Sequence, residues 1–130
     1  MQESLIPSYA ELDCLSNFSF LKGASHPEQL VERAAKLHYQ ALALTDECSL
    51  AGVVREHGEA RRQNLKLIIG SRFVPERCPA EIIVLACNRN GYGNLSERIT
   101  LARAGSAKGQ YRLSLNDFLK PQAGFEHLEN

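Results

Sequence analysis

The sequence predicts an α/β domain with a mostly parallel sheet. Two observations carry this. Apolar runs suited to buried strands alternate with stretches of helical periodicity. One of those runs, Ala41-Leu42-Ala43-Leu44, stops abruptly at Thr45-Asp46-Glu47, and a helical pattern opens near Ser49. Strand, loop, helix is the order in which chemistry collects at a strand's C-terminal end. Asp46 and Glu47 are therefore the first candidates for a site.

Taken in order, Tyr9 to Leu15 alternates in part and fits a first strand. Ser16 to Gly23 reads as a loop with buried aromatics. Ser25-His26-Pro27-Glu28 has the form of a capping box, with Ser25 as N-cap and Glu28 as its N3 partner. Leu30, Val31, Ala34 and Leu37 give the following helix an apolar face. Ala41 to Leu44 is wholly apolar, as a strand covered on both sides should be. Leu50 to Asn64 reads as a second helix, with Val53, Val54 and Ala60 inward and Arg61-Arg62 in its last turn. Leu65 to Ile69 is a third strand closed by Gly70, and Arg72-Phe73-Val74 continues it or begins a neighbour. Glu81 to Ala86 carries the strongest strand signal. A helix after Asn88-Arg89-Asn90-Gly91 places Tyr92, Leu95, Ile99 and Ala102 on one face. Ser114 to Asp117 resembles a further helix start.

The chain divides into a tail (1–8), one domain (9–120) and an irregular tail (121–130). Its 130 residues suffice for one core. They are few for a closed βα barrel, which needs roughly 200 residues or more. Fifteen Lys+Arg balance fifteen Asp+Glu, which argues against a basic nucleic-acid arm or an electrostatic membrane anchor. No apolar run reaches the ~18 residues of a membrane span, and the N-terminus lacks the pattern of a signal peptide. Cys14, Cys48, Cys78 and Cys87 form no C-x-x-C pair, so reduced thiols and a cytoplasmic location are expected. Cys14 reads as a small buried side chain and Cys48 as a turn residue. Gly91-Tyr92-Gly93 lacks a phosphate-loop pattern and reads as a helix start with Tyr92 in the core.

Four segments together are more specific than any one. They are Leu12 to Gly23, Leu42 to Gly52, Lys66 to Phe73, and Ile83 to Leu95. Their order and spacing resemble the PHP (polymerase and histidinol phosphatase) domain that opens bacterial C-family DNA polymerase α subunits. The wording of Thr45 to Gly52 is similar to the error-prone branch. The resemblance implies a PHP-type βα barrel, mostly parallel and incomplete in this chain.

It also implies where a cluster of divalent metals would sit. The family's H-x-H falls on Asp13 and Leu15, its T-D-H on Thr45, Asp46 and Glu47, and its G-x-E on Gly70, Ser71 and Arg72. The His heading the next strand falls on Glu81. Only Asp46 is kept. Leu15 cannot ligate, and the Arg72 guanidinium places a permanent cation where an anion should be. The expectation is a degenerate site without metal, in which Arg72 pairs with Asp46, Glu47, Asp13 or Glu81. The alternative is metal held by Asp13, Asp46, Glu47 and Glu81. His26, His38, His57 and His127 fall on no ligand position and read as helix or surface histidines.

For the parent protein the resemblance implies DNA-directed DNA synthesis in damage-induced mutagenesis and translesion repair, with Mg²⁺ and deoxynucleoside triphosphates used by a palm region outside these residues. The implied partners are the remainder of the polymerase chain, DNA through it, and other translesion factors, with no membrane. The chain itself is expected to be a non-catalytic structural module with no cofactor. The alternative is a PHP-type phosphoesterase or 3′–5′ proofreading exonuclease. Arg98, Arg103, Lys108 and Arg112 are candidate DNA contacts. If the barrel is cut short, exposed apolar strand edges should favour self-association.

Overall fold

The structure is a computed structural model that describes residues 7–119. Among these, four strands and four helices follow the order β1 (Ala10–Cys14), α1 (Pro27–Lys36), β2 (Ala41–Leu44), α2 (Val53–Gln63), β3 (Lys66–Phe73), β4 (Ile82–Leu85), α3 (Arg89–Arg103), α4 (Leu115–Leu119). The strands form one sheet in the order β1-β2-β3-β4. β1, β2 and β3 run parallel, as βαβ crossovers require. β4 is antiparallel to β3, because a short turn rather than a helix joins them.

β2 is buried at all four positions, which explains its unbroken apolar run. α1 and α2 cover one side of the sheet: Val31, Ala34, Leu42 and Ala60 form one core cluster. A second cluster, Cys48, Phe73, Leu95, Ala102 and Leu113, joins α3 and the C-terminal end of β3. The Phe73 ring meets Phe118 of α4 at 5.7 Å between centroids. Ser114 begins α4, its hydroxyl accepting from the Asp117 N–H at 3.0 Å.

Several details differ from the sequence reading. The capping box is shifted by one residue: His26 is the N-cap of α1, and its N–H donates to Gln29 Oε1 at 2.9 Å. α2 begins at Val53, since Leu50 to Gly52 form a turn. Val54 is 83 % exposed, and Glu56 takes the inward place instead. β3 is one continuous strand through Gly70, where a Cβ would lie 2.7 Å from both Leu85 Cδ2 and the Val84 carbonyl. Tyr92 is exposed, and Arg98 shares the buried face of α3 with Leu95 and Ala102. The aromatics of the first loop are exposed rather than buried, Phe20 almost wholly. Cys14 is only half-buried, whereas Cys48 is buried in a left-handed turn at φ 45°. The 121–130 tail and His127 lie outside the described residues.

Candidate functional site

The C-terminal ends of β1, β2 and β3 converge, and the loops that leave them carry the candidate residues. Asp46 follows β2 and is 2 % exposed. A buried carboxylate needs donors, and the loop after β1 supplies three. The Ser16 N–H donates to Oδ1 at 2.7 Å, the Ser16 hydroxyl to Oδ2 at 2.6 Å, and the Ser19 hydroxyl to Oδ1 at 2.7 Å. The Asp46 carbonyl accepts from the Ser71 hydroxyl at 2.7 Å and the Arg72 N–H at 3.1 Å. Asp46 thus ties the first loop to β3.

Arg72, near the end of β3, lies between two carboxylates. It donates through Nη2 to Asp13 Oδ2, and through Nη1 to Glu81 Oε2 at 2.7 Å. Asp13 also accepts from the Thr45 hydroxyl at 2.8 Å. Burial would raise the Asp13 pKa, but the Arg72 and Thr45 hydrogen bonds outweigh it and hold it below the usual range. The same pairing with Asp13 raises Arg72 further.

Glu47 belongs to a third group. It pairs with Lys22 and accepts from the Tyr111 hydroxyl at 2.8 Å. Burial pushes its pKa up, yet Lys22 and Tyr111 bring it below the ordinary carboxylate value. Tyr111 is raised, by burial first and then by Glu47. Arg103 of α3 braces the loop from behind. Its Nη2 donates to the Cys48 carbonyl at 2.9 Å and the Glu47 carbonyl at 3.3 Å, and its plane faces Tyr111 at 5.4 Å. The Cys48 thiol is pushed up to about 11, chiefly by burial.

The expected four carboxylates around Arg72 are thus divided. Asp13 and Glu81 pair with it, whereas Asp46 is turned to serines and Glu47 to Lys22 and Tyr111. Leu15 is half-buried at the end of β1. Of the four basic residues, Arg98 is 9 % exposed, donates to the Phe118 carbonyl and lies 5.1 Å over its ring. Arg103 is spent on carbonyls, and Arg112 pairs with Glu76 at 2.7 Å. Lys108 is exposed. Two of the four candidate DNA contacts, Arg98 and Arg103, are thus engaged within the fold.

Sequence reasoning missed Ser16, Ser19, Lys22 and Tyr111, whose partners are 25 to 64 residues away. It also missed Glu56, which is 0 % exposed and has no hydrogen-bond partner on either carboxyl oxygen. Burial, followed by the nearby Asp46 charge, raises it to about 9, so it is neutral at physiological pH. A signal did exist: Glu56 stands three residues after Val53 and four before Ala60, on the inward stripe.

The residues present do not fit a divalent cluster. Both Asp46 oxygens already take donors, the Arg72 guanidinium bridges the flanking carboxylates, and Leu15 offers no ligand. Among the described residues, no three His, Cys, Asp or Glu side chains are placed to share an ion.

A βα sheet whose loops meet at the strand ends, with Thr45-Asp46 at its centre, defines a PHP-type domain, and the family model for the PHP domain matches residues 11–129. The chain belongs to the PHP domain family. Over 129 residues it is 59 % identical to an error-prone DNA polymerase of Bordetella parapertussis, covering 96 % of this chain and 12 % of that one. It is 61 % identical over 105 residues to an error-prone DNA polymerase of Methylococcus capsulatus, covering 81 % and 10 %. The chain therefore spans about one-eighth of the length of such curated relatives. Among solved structures, a protein described as a metal-dependent phosphoesterase from Bifidobacterium adolescentis superposes with a TM-score of 0.57 at 24 % identity, over 75 % of this chain and 34 % of that one. An amidohydrolase from Chromobacterium violaceum gives 0.56 at 23 % identity, over 70 % and 33 %. These two share the fold, and this chain represents an incomplete βα barrel beside them. No helix among the described residues is long and apolar enough to cross a membrane.

Proposed function

We propose that this chain is the PHP portion of an error-prone DNA polymerase and acts there as a non-catalytic structural module. In this reading the parent enzyme transfers nucleotides from deoxynucleoside triphosphates to a primer end in damage-induced mutagenesis and translesion repair in the cytoplasm. Mg²⁺ would be used by a palm region elsewhere, with DNA and other translesion factors as partners. The likeness to error-prone polymerases supports the parent activity. One observation supports the structural role: Arg72 joins Asp13 to Glu81 at positions that the family resemblance assigns to metal ligands. The fixed cation does the bridging that an ion would do, and it supplies no Lewis acid or hydroxide.

The test is elemental analysis of protein purified without chelator, together with phosphoesterase and 3′–5′ exonuclease assays supplemented with Mn²⁺ or Zn²⁺. The expected result is substoichiometric metal and no turnover. Tightly held stoichiometric metal, or turnover abolished by Asp46→Ala, would establish the phosphoesterase or exonuclease reading instead. Primer extension by the gene product of full polymerase length tests the parent activity separately.

A further inference from the structure

The zero net charge is the sum of two unlike ends. Because β1, β2 and β3 run parallel, both crossover helices return down the sheet, and α1 and α2 finish side by side at the end opposite the mouth. Arg33 to Gln40 closes α1 and Ala60 to Lys66 closes α2, and neither stretch contains a carboxylate. Arg33, Lys36, Arg61, Arg62 and Lys66 are all exposed there. Lys36 is shared with Glu32 at 3.0 Å and Arg62 with Glu59 at 3.5 Å. Arg33, Arg61 and Lys66 enter no ion pair among the described residues. Glu11, early in β1, is engaged by the Tyr9 hydroxyl at 3.0 Å. At the mouth the balance is reversed, with Asp13, Asp46, Glu47 and Glu81 set against Arg72 and Lys22. Cations in a last turn answer the helix dipole, but Lys66 lies in β3, outside any helix.

We propose that this basic end is a seat for the phosphate backbone of nucleic acid, held without reading its sequence. The inference rests on the reading of the chain as part of a DNA polymerase, and it assigns a DNA contact away from the mouth. Three features select this occupant. Long cationic side chains interspersed with the amides of Gln40, Gln63 and Asn64 are the groups that bind phosphate and sugar. Two packed helix ends, with axes ~8–10 Å apart, spread those groups over a ridge rather than gathering them at one point. A protein partner is anchored by large apolar or aromatic side chains, and Leu37, 46 % exposed, is the one large apolar side chain exposed in these two stretches.

The test is fluorescence anisotropy of a short labelled DNA duplex of mixed sequence, titrated with the 130-residue chain over a range of salt. Binding should weaken as salt rises, with a log–log slope of about −0.9 for each phosphate engaged. Arg33→Gln with Arg61→Gln should lower that slope by about 2 and weaken binding about tenfold or more at low salt. Arg77→Gln with Lys108→Gln removes the same charge from exposed positions beyond the mouth ends of β3 and α3, and should change binding less than about twofold. In the unaltered chain, acetylation mapped by mass spectrometry should slow at Lys36 and Lys66 when DNA is added, and not at Lys22 or Lys108. That footprint decides the question if a variant fails to fold. No salt-dependent binding would overturn the proposal, as would equal losses from the two pairs of substitutions or protection at Lys22 or Lys108 instead. Polyglutamate bound as tightly as DNA would overturn it too, and would assign this end to an acidic polypeptide. Primer extension by the gene product of full polymerase length is read separately. Synthesis with Lys36 and Lys66 unprotected by DNA counts against this proposal, and protection without synthesis counts against the polymerase reading.

Discussion

Two parts of the same strand-end region are held by different physics. Around Asp46 the carboxylate is buried and satisfied by a backbone N–H and two hydroxyls. Around Arg72 the guanidinium is 14 % exposed, but its partners Asp13 and Glu81 are 38 % and 53 % exposed. Charge-assisted hydrogen bonds in a dry site are short and costly to break, because each abandoned donor stays buried. Ion pairs with wet partners are screened and weaker. The inner position is fixed by buried donors that have no other partner, while the rim is held by charges that water also reaches.

Replacing Asp46 should have the largest effect. Asp46→Ala strands the Ser16 N–H and two hydroxyls, and should cost about 3–5 kcal/mol in urea denaturation. Glu56 comes next and gives the inner side a pH signature. Its pKa is raised from 4.5 to about 9 by folding, so the unfolded chain releases its proton first as pH rises. Stability should fall from pH 4.5 upward and level off near pH 9. The loss by neutral pH is on the order of 3 kcal/mol. Glu56→Gln should flatten that slope in melts across the range, and an unchanged slope would remove Glu56 as its source.

On the rim, Arg72→Met should cost about 1–2 kcal/mol, and less in high salt. A cost equal to that of Asp46→Ala, insensitive to salt, would erase the distinction between the two parts. Lys22→Ala should be smallest, within about 0.5 kcal/mol, because the Lys22 side chain is 48 % exposed. Parallel denaturation curves of the four variants rank them directly.

The alternation of strands and helices was legible, because β2 and the first half of β3 are apolar runs of the right length. The direction of β4 was not, since an edge strand reads alike in either sense. The error at Val54 came from counting apolar residues rather than tracing the stripe, which passes through Glu56. Within the site, Asp13, Arg72 and Glu81 could be foreseen as a charge set by aligning a family pattern. Ser16 and Ser19 could not, because hydroxyls announce no partner and theirs lies 30 and 27 residues on. Arg98 and Arg103 looked like surface cations because long side chains hide where their heads go.

The brace from Arg103 and Tyr111 onto the Glu47–Cys48 turn spans 55 to 64 residues of sequence. On the ribosome, the first loop, β2 and Asp46 emerge together and can close at once. The left-handed turn at Cys48 must then wait for Tyr111. At translation rates of about 5–20 residues per second, that delay is roughly 3–13 s. During it Glu47 has Lys22 but not the Tyr111 hydroxyl.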